Sequence, residues 1–177
     1  MITLDQIKDY IRNRPYMDGV TRNAIRIKAT QEIFTPTEMV QNLLDTLDSN
    51  LFIDEEQPFV DPTCGDGQFL GEVLIRKLEQ ANAKREWQEK VKKSLGKSTS
   101  PEKKEQWFAE DFEQALQTIY GVDLMPDNVK LCQDRLLCGQ EHLRHIVERN
   151  IVCANALEYN YSFGEPVTFG NGLFTFE

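Results

Sequence analysis

The chain has 177 residues, 40% of them hydrophobic and 28% charged, which suits one globular domain with a buried core. A net charge of -9 and a pI near 4.8 argue against strong nucleic-acid binding by this polypeptide alone, because such binders carry a basic footprint. No apolar run approaches the ~20 residues of a membrane helix, and Met1-Ile-Thr-Leu-Asp-Gln lacks a signal-peptide pattern, so a cytoplasmic protein is expected.

Leu4, Ile7 and Ile11 stand at helical spacing and predict a short first helix. A polar connection follows, with Pro15, Gly19 and basic stretches at Arg12 to Arg14 and Arg22 to Lys28. Thr35-Pro36-Thr37-Glu38 then opens a second helix. Thr35 is placed to cap it, Pro36 suits its first turn, and Glu38 lies three residues after the cap. Val40, Leu43, Leu44 and Leu47 are its expected buried face. These two helices form an amino-terminal portion, residues 1–50, of a single domain spanning 1–177.

Pro58 to Asp61 reads as the first strand and Gly67 to about Lys84 as the helix after it. Between them the run Asp61-Pro-Thr-Cys-Gly-Asp-Gly-Gln-Phe69 places two glycines in a strand-to-helix turn. A ligand can approach the main chain closely there, because no Cβ obstructs it. Residues 83–110 are dominated by Lys, Glu and Gln, with Ser94 to Pro101 as a break, and read as a charged helical insertion. Its anchors are Trp87, Val91, Trp107 and Phe108. Lys90 to Lys104 suggests a nucleic-acid surface, but the interleaved acids favour a solvated face.

Ile119-Tyr-Gly-Val-Asp123 is a second strand ending on an acid. Pro126 and Asp127 start a third core helix, expected to run to about Leu143. Asn150 to Cys153 gives a third strand, and Leu173 to Phe176 a fourth, reached through a loop from Gly164 to Gly172. Strands alternating with helices imply βαβ units and a mostly parallel sheet. Cys132, Cys138, His142 and His145 do not have the close pairing of a zinc site. Buried thiols beside a wet histidine edge are expected, with no metal.

These elements resemble the cofactor half of the S-adenosylmethionine-dependent adenine-N6 DNA methyltransferases, over roughly Thr30 to Glu158. Ile33-Phe34-Thr35-Pro36 looks like that family's amino-terminal cofactor-closing motif. Asp61 to Phe69 matches its glycine loop, and Asp123 the acid ending its second strand. Asn150-Ile-Val-Cys-Ala-Asn-Ala-Leu157 resembles a third motif, with Asn155 where Asp is commoner. The resemblance implies an α/β fold, a Rossmann-like methyltransferase three-layer sandwich, truncated after the fourth strand. It implies a cofactor site for S-adenosylmethionine made by Thr30, Phe34, Thr35, Asp61, Thr63, Cys64, Gly65, Gly67, Phe69, Asp123, Leu124, Met125, Asn155 and Ala156.

The chemistry of these positions suits the ligand. A carboxylate at Asp123 can accept from two neighbouring ribose hydroxyls. Leu124 and Met125 can pack on the adenine, and Asn155 offers its amino group an acceptor. Asp61 can accept from the methionine ammonium, while N–H groups at the helix start and the hydroxyls of Thr30 and Thr35 favour its carboxylate. Competing structural roles stand beside these: helix capping for Asp123 and Thr35, and turn stabilisation for Asn155.

The family's catalytic Asp/Asn-Pro-Pro-Tyr/Phe run has no counterpart, since no two prolines are adjacent anywhere in the chain. No catalytic residue is therefore assigned. The sequence reads as part of an incomplete or split enzyme, truncated from a longer chain or completed by a second chain that supplies the catalytic half, with DNA bound only by the completed enzyme. The alternative is a catalytically silent cofactor-binding module that acts through protein contacts.

Overall fold

The computed structural model describes residues 2–14 and 35–164. Helix α1 (Leu4–Asn13) begins with a reciprocal capping box in which Thr3 and Gln6 satisfy each other's backbone N–H groups. Its Ile7 and Ile11 are buried, as their spacing predicts. Helix α2 (Thr37–Leu44) follows, then a single turn, α3 (Asn50–Ile53). Strand β1 (Phe59–Asp61) leads into α4 (Gln68–Ser94), which is paired with α5 (Pro101–Gln117). Strand β2 (Ile119–Asp123), α6 (Pro126–Leu137), a 3-10 turn (Glu141–Leu143), α7 (Arg144–Asn150) and strand β3 (Ile151–Cys153) complete the order.

The three strands form an all-parallel sheet in the order β1-β2-β3. Asp61 lies opposite Gly121, and Asp123 opposite Cys153, so the carboxyl ends of all three strands gather at one side. Ile119 and Ile151 join the buried helical side chains on one face of the sheet, with Phe59 packed against them. Tyr120 and Val122 point to the other face and pack with Phe163, Val60 and Val152. This alternation is the period-two pattern of a sheet covered on both sides.

The mixed α/β class with a parallel sheet agrees with the sequence reading. The three-layer sandwich does not appear among the described residues. One face carries the helices, and the other is covered by residues 154–163, whose Tyr159, Tyr161 and Phe163 rings form an aromatic cluster with Tyr120. Strand Leu173 to Phe176 and nearly all of the loop leading to it lie outside the described residues, as do Thr30, Ile33 and Phe34.

Four further expectations need correction. Pro36, not Thr35, takes the cap position of α2, and no side chain caps that helix. Thr37 instead accepts from Gln68 Nε2 at 2.6 Å, joining α2 to the start of α4. Leu43 and Leu47 are exposed, because α4 receives only the face of α2 that carries Val40 and Leu44. Helix α4 does not stop near Lys84. Its Lys, Glu and Gln residues are strong helix formers, and Gly96 with φ +71° is the first residue to break the run. Finally, α6 ends at Leu137 because Cys138 and Gly139 turn left-handed, at φ +47° and +76°. Cys138, His142 and His145 therefore do not share one helix.

Candidate cofactor-binding turn

The turn after β1 is built by hydrogen bonds that run outward from the sheet. Asp61 Oδ1 accepts from the Thr63 N–H at 3.0 Å, which closes the first bend. The Cys64 N–H donates to the Val122 carbonyl at 2.9 Å, so the turn stays attached to β2. The Gly65 N–H donates to Asp123 Oδ2 at 3.0 Å. The Gly67 N–H then donates to the Cys64 carbonyl at 2.8 Å and starts α4.

The two glycines serve different needs. Gly65 (φ +53°) faces open space, and a Cβ there would meet no atom within 4 Å. Gly67 (φ +79°) is crowded, and a Cβ would fall 2.6 Å from Cys132 Sγ. Gly65 thus leaves room outside the protein, and Gly67 allows α4 to lie close to α6. A third glycine went unnoticed in the sequence. A Cβ on Gly121 would stand 2.9 Å from both Cys64 Sγ and Leu70 Cδ1, so its absence lets the turn pack onto β2.

Asp123 is already engaged. Besides Gly65, it accepts from the Met125 N–H at 2.8 Å and from Asn128 Nδ2 at 3.3 Å, both at Oδ1. A carboxylate has about four lone-pair sites, so these three bonds leave room for about one outside donor. Accepting two hydroxyls together requires one internal bond to open. The capping and ligand roles weighed from the sequence therefore compete for the same atoms.

Asp61 sits beside it at the end of β1. Burial and the charge of Asp123 raise its pKa, against the lowering effect of the Thr63 N–H. Two neighbouring acids at a strand end favour a cationic guest, which would relieve both. Leu124 is 66% exposed at the same mouth, and Met125 is half-buried.

The remaining expected contacts are less aligned. Asn155 is exposed, and its Oδ1 accepts from the Leu157 N–H at 3.1 Å, the turn-stabilising role. Ala156 packs toward the aromatic cluster on the far face of the sheet, and its carbonyl accepts from the Tyr161 hydroxyl at 3.0 Å. The Cys64 thiol is buried against Cys132, and that contact together with burial raises its pKa, so it is a neutral packing group. Thr63 is exposed and Thr35 half-buried. Phe69 lines a pocket of about 260 Å³ with Asp61, Pro62, Val60 and Leu44 along the edge of β1.

A buried polar network behind the turn escaped the sequence reading. Asp66, between the two glycines, meets Arg135 of α6 at 3.3 Å, and both side chains are buried. Arg14 reaches Asp66 at 3.7 Å and also donates to Gln68 at 2.7 Å. Arg12 grips the buried Glu72 with two bonds of 2.9 Å. These pairs fasten the start of α4 to α1 and α6. The available signal was Arg135 itself, which stands at helical spacing from the buried Asn128 and Cys132.

Among the described residues no three metal-ligating side chains converge, and no helix is long and apolar enough to cross a membrane. No family model, curated protein or solved structure matches the chain.

Proposed function

We propose that the chain binds S-adenosylmethionine, or its demethylated product, over the turn between β1 and α4. The observation that carries this reading is the Gly65–Asp123 bond, with open space over Gly65. It brings a backbone that admits close approach and an acid at the next strand end into one mouth. Ligands of open α/β sheets bind at such carboxyl ends.

In this reading Asp123 accepts from the ribose, and Asp61 faces the ammonium or sulfonium charge. Leu124 and Met125 cover the adenine. Gly65 admits the methionine portion, and Gly67 holds the turn in shape. Thr35, Thr63 and Phe69 line the approach, with Thr30 and Phe34 joining from the family resemblance. Asn155 and Ala156 contribute through the turn that follows β3. The cofactor supplies an electrophilic methyl group on sulfur; the residues of this chain bind and orient it.

The acceptor that the resemblance suggests is the N6 amino group of adenine in DNA. Flipping enzymes hold such a base by edge hydrogen bonds and stacking. The adjacent prolines that shape that pocket in the family are absent from these residues, so we assign this part to a second chain or to a further segment of a longer one. Equilibrium dialysis of the purified chain against radiolabelled S-adenosylmethionine tests the cofactor reading. Saturable retention supports it, and no retention at millimolar ligand refutes it. A DNA methylation assay on the same sample then tests the division of labour. Transfer by the chain alone refutes the need for a partner.

A further inference from the structure

The far ends of α4 and α5 form a two-helix projection with a composition unlike the rest of the chain. Lys90 to Lys104 contains six lysines and one glutamate, five net positive charges in a chain whose total is -9. The acids that interleave with them in sequence, with Glu86, Glu102 and Glu105 exposed, neutralise this tip only in part. Glu89 is buried, accepts from the Thr99 N–H at 3.3 Å and lies 3.7 Å from Lys104. Lys90, Lys93 and Lys97 are exposed, with no carboxylate at ion-pair distance among the described residues.

An apolar stripe accompanies the charge. Trp87, Val91 and Leu95 recur every four residues and are 65%, 39% and 69% exposed. Lys84 and Lys90 stand three residues either side of Trp87, and so flank it on the helix surface. The stripe spans about 12 Å at the helical rise. The groove of about 340 Å³ between the helices adds little to this charge, because Glu86, Glu89 and Asp111 line it together with its basic residues.

We propose that this tip docks DNA, with Lys90, Lys93 and Lys97 on the phosphates and Trp87 as a stacking surface for an unpaired base. Charge complementarity selects a polyanion. An exposed indole among lysines suits a strand of bases, whose affinity comes from backbone charge and aromatic stacking. An anionic membrane would call for a broader apolar face than three residues provide. The choice of DNA rests on the methyltransferase reading, while the basic tip stands independently of it.

The test is fluorescence anisotropy of a labelled single-stranded 20-mer DNA, titrated with the full chain at about 50 mM and about 200 mM salt. The wild type should bind, and weaken as salt rises. The Lys90→Glu/Lys93→Glu/Lys97→Glu variant should bind at least tenfold more weakly with a flatter salt dependence, and Trp87→Ala should lose several-fold. Circular dichroism and S-adenosylmethionine titration of the same variants separate docking from folding and from the cofactor site. Weaker DNA binding with cofactor binding kept supports the tip. If the cofactor fails to bind any variant while the lysine dependence holds, the tip stands and the cofactor reading falls. Absence of DNA binding, equal binding by the triple variant, or preference for phosphatidylserine vesicles over DNA overturns the proposal.

Discussion

The N–H of Gly65 and the Oδ2 of Asp123 lie 3.0 Å apart, which joins the turn after β1 to the end of β2. Fifty-eight positions separate the two residues in sequence. This bond fixes where the open space over Gly65 faces, and it places an acid beside that space. It also occupies the carboxylate that a ribose would use. The turn should therefore shift when ligand arrives, exchanging an internal donor for an external one.

The two turn glycines should separate stability from binding. Gly67→Ala combines a left-handed φ with a clash against Cys132, and should cost about 2–5 kcal/mol in urea unfolding. Gly65→Ala carries only the φ penalty, about 1–2 kcal/mol, but places a methyl group in the open space. Its larger effect should be on S-adenosylmethionine affinity. Equal stability losses in the two variants would contradict this division.

Arg135 and Asp66 give a sharper stability test. Both are buried, and removing Arg135 takes from Asp66 its 3.3 Å partner and leaves the longer 3.7 Å contact to Arg14. Arg135→Met should destabilise the fold by about 3–5 kcal/mol, and Asp66→Asn added to it should recover part of the loss. A loss below about 1 kcal/mol for Arg135→Met would mean that Arg14 or water already compensates Asp66.

Lys77 predicts a pH effect of definite sign. Its ammonium donates to the Gln57 and Asp54 carbonyls at 2.8 and 3.2 Å, and burial lowers its pKa from 10.5 to about 8, against the raising effect of Asp54 and Glu55. Between pH 8 and 10.5 the unfolded chain holds more of this proton than the folded one, so stability from this group rises with pH. Urea unfolding of wild type and Lys77→Met at both ends of that window measures it. The stability difference should move in favour of the wild type at the higher pH, and a constant difference would contradict the assignment.

The parts of this architecture that were legible in sequence are those with a local cause. Ile119 to Asp123 was read to its observed bounds because an apolar run ends on an acid. Gly65 and Gly67 were legible because left-handed turns need glycine. Boundaries set by competition between neighbours were not. Thr35 carries a good capping side chain, yet the helix starts one residue beyond the expected cap-plus-proline arrangement. The end of α6 was marked by Gly139, whose signal was outweighed by the apolar residues after it.

The charged network was hidden for another reason. Pattern reading assigns Arg12, Asp66, Glu72 and Arg135 to solvent, whereas pairing across distant segments lets three of the four be buried. The role of Asn155 was legible only as two alternatives, because the same amide suits a turn and a base. The hydrogen bond from Leu157 shows the turn role in place.

Calorimetric titration of the wild type and Asp123→Ala with S-adenosylmethionine decides whether this mouth holds the ligand through Asp123. The wild type should bind saturably below millimolar ligand, and the variant about 10- to 150-fold more weakly, the worth of one charge-assisted hydrogen bond. No binding heat from the wild type at millimolar ligand, or unchanged affinity in Asp123→Ala, would contradict that role.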